Sequence, residues 1–153
     1  MTSPPKLAIR DAIEADLPEI LVLLVDDVLG AARDGVEVEP AHLEALRAIE
    51  ADPNCRQLVA VESGAVVGCF QLNFLPGLSR RGSWRAQVEA VRVAGQRRNG
   101  GVGAAMMRWA IEQARARGCA LVQLTTDKRR ADAHRFYRRL GFEASHEGMK
   151  LTL

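Results

Sequence analysis

A glycine-rich turn is the part of this sequence whose chemistry can be interpreted most directly. The chain reads Arg98-Asn99-Gly100-Gly101-Val102-Gly103-Ala104 and then continues with helical periodicity. A helix N-terminus carries unsatisfied backbone N–H groups and positive partial charge, and glycine allows a ligand to approach the main chain closely. These residues therefore predict a binding site for the phosphate groups of a cofactor. A strand-to-helix turn without any ligand is equally compatible with the turn taken alone.

Two common nucleotide-binding motifs are absent from this turn. It lacks the lysine and hydroxyl residue that end a nucleoside-triphosphate loop, and it lacks the third glycine and the later acidic residue of a dinucleotide-binding fold. The sequence therefore disfavours both of these protein classes.

The elements around the turn alternate between strands and helices. Hydrophobic periodicity and turn residues predict helices that begin near residues 16, 39, 102 and 131, strands over residues 6–10, 57–62, 65–74, 84–93 and 120–126, and a terminal hairpin over 142–153. The strand over 120–126 is apolar enough to be buried on both faces. Hairpins are antiparallel, whereas the strand-helix-strand unit from 84 to 126 joins parallel strands. We therefore predict an α/β fold with a mixed sheet.

Composition limits the class of protein further. The chain has 153 residues, of which 48% are hydrophobic and 26% charged, and this predicts one domain over residues 1–153. Because no apolar run could span a bilayer and the first residues do not resemble a signal peptide, we expect a cytoplasmic protein with no membrane partner. A formal net charge of +2 gives no reason to expect a nucleic-acid partner. The spacing of the cysteines and histidines predicts no metal site.

Two motifs in the same order resemble the GNAT family of N-acetyltransferases. The spacing Arg98-x-x-Gly101-x-Gly103 is similar to the acyl-coenzyme A signature of that family, and the segment from Ala133 to Phe142 (AHRFYRRLGF) is similar to its second motif. The resemblance covers essentially the whole chain. It implies the GNAT fold, with a mixed central sheet of about six to seven strands, four helices, and a splayed pair of parallel strands that holds the cofactor. It also implies acetyl-coenzyme A (acetyl-CoA) as the co-substrate.

The resemblance implies a role for each residue near the turn. The backbone of Val91, Arg92 and Val93 is expected to bind the pantetheine arm and to polarise the thioester. The cofactor pyrophosphate is expected to lie against the turn, whose residues are Arg98, Asn99, Gly100, Gly101, Val102, Gly103 and Ala104.

Two side chains are the expected catalytic residues. An alkylamine has a pKa near 10.4, so only about one molecule in a few thousand is neutral and nucleophilic at pH 7. The resemblance implies that Glu89 takes the amine proton, directly or through water, and we expect this carboxylate to be partly buried. It also implies that Tyr137 lies near the coenzyme A sulfur as the general acid. The alternative for Glu89 is a carboxylate that only faces solvent. The alternative for Tyr137 is an aromatic ring packed in the core.

The acceptor is less well defined than the cofactor. The stretches Thr125–Tyr137 and Ala144–His146 are similar to aminoalkylphosphonate N-acetyltransferases, a subgroup that uses a divalent metal, which implies a small primary amine that can carry an anionic group. Alternatives are a protein lysine or N-terminus as acceptor, and a sensor that binds acyl-coenzyme A without turnover. A homodimer formed through the edge of residues 142–153 is a further expectation.

Overall fold

A five-stranded sheet forms the centre of the computed structural model, which describes residues 6–26 and 28–153. The strands lie in chain order: β1 (Ala8–Asp11), β2 (Cys55–Glu62), β3 (Ala65–Leu75), β4 (Arg85–Val93) and β5 (Leu121–Leu124). The pairs β1–β2, β2–β3 and β3–β4 are antiparallel, and the sheet also contains a parallel pair. The predicted α/β class with a mixed sheet is therefore confirmed.

Six helices accompany the strands within residues 6–26 and 28–153, two more than the four that were expected. Two of them begin with a proline in the first turn, where its missing N–H costs nothing, as the sequence predicts. The one-turn helix α2 is too short to produce a periodic signal in the sequence. The segment α4 is a single turn in which Arg80 and Arg81 have left-handed φ values of 53° and 60°. The helices are α1 (Leu17–Val25), α2 (Val28–Ala31), α3 (Pro40–Ala51), α4 (Ser79–Gly82), α5 (Val102–Ala116) and α6 (Ala131–Arg139).

The core lies on both faces of β3, because successive side chains of a strand point to opposite faces. On one face the ring of Phe70 meets Trp109 of α5 edge to face, with the ring centroids 6.0 Å apart. On the other face Cys69 packs in a buried cluster with Ile20 and Leu23 of α1. The sheet is therefore fixed between α1 and α5.

Four expectations about the sheet and the end of the chain are wrong. Within the described residues the sheet has five strands rather than six to seven, and β5 is shorter than predicted and half-buried rather than enclosed on both faces. Residues 142–153 form neither a hairpin nor a single strand. Alternating apolar residues predict a strand, but a strand forms only when a neighbouring backbone pairs with it.

The chain divides into two compact units, residues 1–123 and 124–153, which are described separately. In the second unit, the Tyr137 ring packs edge to face against Phe136 and Phe142. Lys128 forms an ion pair with Glu147 at 3.1 Å in the same unit. Across the residues described, no helix is both long and apolar enough to span a bilayer. The single domain over 1–153 stays a prediction.

Candidate active site

A β-bulge interrupts β4 in the middle of the predicted site. Cys69 of β3 pairs with Arg92 and Gln71 pairs with Glu89, so one residue of β3 faces two residues of β4, Ala90 and Val91. Ala90 has a φ of 50°, a left-handed conformation that L-residues rarely adopt. Bulges of this kind re-aim side chains and occur often beside functional sites. Here Glu89 and Ala90 are both exposed, so the expectation that Glu89 is partly buried is wrong.

β5 and the residue before it contact the first part of β4. The Ala120 N–H donates to the Trp84 carbonyl at 2.8 Å, and the Gln123 amide donates to the Gln87 amide oxygen at 2.9 Å. Both contacts lie before the bulge. The stretch from Glu89 to Val93 extends past them, and an extended ligand could lie along this edge in the manner of an added strand.

The glycine-rich turn leads into α5 through two residues with left-handed backbone. Asn99 has a φ of 63° and Gly101, the N-cap residue of α5, has a φ of 86°. No side chain caps this helix, and the first N–H groups of a helix have no partner within it. A Cβ atom built on Gly101 would meet no atom within 4 Å, so the position beside this residue is open. The turn therefore has the geometry and polarity of an anion site.

The side chain of Arg98 points toward α1 rather than to the front of the turn. Its Nη2 atom donates to the Asp26 carboxylate at 3.2 Å and to the Asp26 carbonyl at 3.1 Å, while Nε donates to the Val93 carbonyl at 3.3 Å. Arg92 Nη1 donates to the Val91 carbonyl at 3.0 Å. Arginine side chains therefore already bond to the carbonyl groups of both Val91 and Val93. The Arg98 and Asp26 side chains are each half exposed, so a phosphate could compete for this arginine.

Glu89 is held by a chain of two amide side chains. The Gln87 Nε2 atom donates to Glu89 Oε1 at 2.6 Å, and the oxygen of the same amide accepts from Gln123. Gln123 thus fixes the orientation of the Gln87 amide so that its nitrogen faces the carboxylate. Neither glutamine belongs to a motif that points to catalysis. The alternation of Gln87 and Glu89 on one strand was the available signal, since residues two apart share a face.

The polar face of the sheet continues from Glu89 onto β2 and β3. The register pairs Glu89 with Gln71, which in turn lies opposite Gln57, and it pairs Gln87 with Asn73. The Gln71 amide donates to Asn73 Oδ1 at 3.1 Å, and the Cys55 thiol donates to the same oxygen at 2.9 Å. Burial is the largest cause of the raised pKa of the Cys55 thiol. This face presents hydrogen-bonding amides and a thiol that stays protonated near neutral pH.

The second predicted catalytic residue, Tyr137, lies on α6 in the unit 124–153. Its half-buried ring packs between two phenylalanines. In the same unit, His134 Nε2 lies 3.1 Å from the Asp127 carbonyl, and the carboxylate of Asp127 accepts from Arg129. The hydrogen bonds from Arg129 are the main reason that the pKa of Asp127 is well below its usual range. Among the described residues, no three potential metal ligands come together.

Comparison with known proteins agrees with this geometry. The profile of the Acetyltransferase (GNAT) family matches residues 18–142. An aminoalkylphosphonate N-acetyltransferase from Salmonella typhimurium is 36% identical over 95 residues, which are 62% of this chain and 61% of that protein. An IAA acetyltransferase from Azospirillum brasilense is 30% identical over 86% of this chain and 82% of its own length.

A solved structure of similar shape extends the comparison. The crystal structure of a transcriptional regulator from Bacillus halodurans C-125 is 45% identical to this chain and superposes with a TM-score of 0.94. The match covers 97% of this chain and 100% of that one. The chain belongs to the GNAT acetyltransferase family, and it is an acetyltransferase with the fold of that family.

Proposed function

We propose that the protein transfers the acetyl group of acetyl-CoA to the primary amine of a small molecule, by direct attack in a ternary complex. The observation that carries the proposal is the N-terminus of α5, which follows the left-handed Asn99 and Gly101 and has no side-chain cap on its first N–H groups. The pyrophosphate of coenzyme A fits this donor set, since phosphates bind where N–H groups and the positive end of a helix coincide.

The edge of β4 from Glu89 to Val93 is the proposed binding site for the pantetheine arm of coenzyme A. The pantetheine arm is an extended chain of amides, so it can hydrogen-bond along the edge of a strand. The bulge at Ala90 turns this part of β4 just where the arm would reach the thioester. Acetyl-CoA supplies an acyl group on a good leaving group, and the N–H groups beside the bulge would polarise the thioester carbonyl.

Glu89 is the proposed general base. The attacking amine loses a proton as its nitrogen forms a bond to the acetyl carbon, and the carboxylate accepts this proton directly or through one water molecule. The carbon–sulfur bond breaks in the same sequence, and the Tyr137 hydroxyl is the proposed donor of a proton or hydrogen bond to the leaving sulfur. An exposed carboxylate beside the bulge supports this role, because an acceptor amine can reach it from solvent.

The polar sheet face supports a small polar amine as the acceptor. Gln71 and Asn73, which pair with Glu89 and Gln87, offer amide groups beside the carboxylate, and these groups can bond to hydroxyl or anionic oxygens. One curated relative is named for aminoalkylphosphonates, and phosphonate amines are therefore the first acceptors to try. A protein lysine or N-terminus remains the alternative acceptor.

The phosphate-site assignment is tested by exchanging Gly101 for alanine. Gly118, which follows α5 at its other end, provides the matched control, since it also has a positive φ of 73° and open space around its Cβ position. Both substitutions incur a similar backbone strain of about 1 kcal/mol. We expect Gly101→Ala to weaken coenzyme A binding measured by calorimetry and Gly118→Ala to leave it unchanged. Equal affinities in the two variants would refute the assignment.

A regulatory protein that binds acyl-coenzyme A without turnover is the second candidate. It is favoured by one observation, the 45% identity with a protein described as a transcriptional regulator. Tight acetyl-CoA binding with no acetyl transfer to any amine would support this candidate over the enzyme.

A further inference from the structure

An arginine without a partner lies on the same face of β4 as the proposed general base. Arg85, Gln87 and Glu89 are two residues apart in turn and precede the bulge, so their side chains leave the same face of the sheet. Arg85 is half-buried, and no hydrogen bond or ion pair joins it to any residue in the described part of the chain. A cation that is partly withdrawn from water is normally paired with an anion. The guanidinium of Arg85 is therefore a candidate to bind an anionic ligand.

The charge of Arg85 is not balanced by its neighbours in the sequence. Residues 63–88 contain three arginines and no aspartate or glutamate. The other two, Arg80 and Arg81 of α4, are exposed and form no ion pair within residues 6–26 and 28–153. The next carboxylate along the chain is Glu89. One face of β4 thus has a positive side chain at its first residue and a negative one four residues later.

A glycine in the loop after β3 determines where the guanidinium lies. The register pairs Leu75, the last residue of β3, with Arg85. A Cβ atom built on Gly77 would lie 3.1 Å from Arg85 Nη1, so only glycine leaves full room for the guanidinium at this place. Because Gly77 lies beyond the end of β3, the guanidinium is at the end of the polar face that is farther from Glu89.

The spacing of the two charges sets the length of a ligand that can reach both. An antiparallel strand advances about 3.4 Å per residue, so the Cα atoms of Arg85 and Glu89 are about 14 Å apart. A hydrogen bond of about 3 Å at each end leaves about 8 Å between the two charged groups of the ligand. The side chains between the two ends include the amides of Gln87 and Asn73, which the register pairs. An uncharged spacer can lie across these amides.

We propose that Arg85 determines which amine is acetylated, by binding a carboxylate, phosphate or phosphonate group about 8 Å from the acceptor nitrogen. This inference rests on the proposed function and names its substrate class, a zwitterionic primary amine with a long spacer. Guanidinium offers two parallel N–H donors that fit an oxyanion of either kind. Glu89 attracts the ammonium end of the same molecule, so the acceptor enters in one orientation. An extended chain advances roughly 1.2 Å per bond, so the spacer has about five methylene groups.

A series of amines of increasing length tests the proposal with the wild-type chain. The value of kcat/KM is measured by thiol release from acetyl-CoA, with β-alanine, 4-aminobutanoate and 6-aminohexanoate, and with 2-aminoethylphosphonate and 5-aminopentylphosphonate. We expect the longest member of each set to exceed the shortest by about tenfold or more, because only the long amines reach Arg85 with a charged hydrogen bond. The two sets also show whether the site prefers a carboxylate or a phosphonate.

The neutral amine 6-aminohexan-1-ol separates length from charge, and we expect it to be acetylated no better than β-alanine. Equal kcat/KM at every length, or equal values for 6-aminohexan-1-ol and 6-aminohexanoate, would overturn the role of Arg85 and leave the transfer to small amines intact. Thiol release with none of these amines, or with any other, would contradict the proposed function and this inference with it.

Variants assign the effect to Arg85 itself. Arg85→Gln should lower kcat/KM for 6-aminohexanoate about tenfold or more relative to 6-aminohexan-1-ol, mainly through KM, and Arg85→Lys should restore part of the loss. Arg81→Gln is the matched control, since it removes the same charge from an exposed position nearby, and it should leave the ratio unchanged. Equal losses in Arg85→Gln and Arg81→Gln would show that only the overall charge matters, and would overturn the proposal. The length series remains decisive if Arg85→Gln does not fold.

Discussion

The hydrogen bond from Gln87 to Glu89 gives a quantitative prediction for the catalytic base. Gln87→Met keeps the length of the side chain but removes the donor that lies 2.6 Å from Glu89 Oε1. A hydrogen bond to a charged group contributes about 1.5–3 kcal/mol, and we take about 1 kcal/mol because solvent competes for an exposed carboxylate. If this bond orients Glu89 for proton transfer, its loss should reduce the rate about fivefold.

The lower rate of Gln87→Met is measured by steady-state kinetics with an amine that the wild-type enzyme acetylates. We expect kcat to fall about fivefold in Gln87→Met, while the KM for acetyl-CoA stays unchanged. Gln57→Met is the control, because the Gln57 amide lies on the same sheet face but donates to the Phe70 carbonyl at 3.1 Å. In a Glu89→Gln background the same substitution of Gln87 should have no further effect. An equal loss in both backgrounds would refute the reasoning that Gln87 acts through Glu89.

Three further predictions concern stability. The hydrogen bonds from Arg10 are the main reason that the pKa of Asp16 is lowered. The ionised carboxylate therefore stabilises the fold above its unfolded pKa of about 3.9, and this contribution is lost as the pH falls through the lower pKa of the folded state. Asp16→Asn should be less stable than wild type in urea at pH 7, and the difference should shrink in acid. Because Ala90 has a positive φ, Ala90→Val should lower the unfolding free energy by about 1 kcal/mol or more, whereas Ala90→Gly should not, as measured by thermal unfolding. Gly68→Ala places a Cβ 2.6 Å from the sulfur of Met106 and should lower the free energy of unfolding by about 1–3 kcal/mol, measured by urea titration. Gly35→Ala is the control in this titration, because a Cβ at Gly35 meets no atom within 4 Å.

The secondary structure that the sequence predicts well is the part with strong local signals. The hairpin of β2 and β3 and the helix after the glycine turn have clear periodicity and clear stop residues, and both are confirmed. The glycines at 101 and 118 mark the two ends of α5 because both adopt a positive φ. Local patterns of this kind need no knowledge of the partner elements.

The features that the sequence could not predict depend on contacts between distant residues. The bulge at Ala90 is a mismatch of register between β3 and β4, and alanine carries no signal for a left-handed conformation. The salt bridge between Arg98 and Asp26 joins residues 72 positions apart. The glycine-rich motif alone therefore could not predict that the Arg98 side chain points toward α1. Residues 149–153 alternate apolar and polar side chains, but a strand forms only where another backbone pairs with it, and local sequence does not specify that pairing.

The central claim is acetyl-CoA-dependent acetylation of a small amine, and release of free coenzyme A thiol tests it most directly. The assay takes the full chain with acetyl-CoA across aminoalkylphosphonates, polyamines, aminosugars, amino acids and lysine peptides, with and without a divalent metal. We predict thiol release that requires one of the small amines and is matched by an equal amount of N-acetylated product. Thiol release that requires only lysine peptides, or no release with any acceptor, would contradict it.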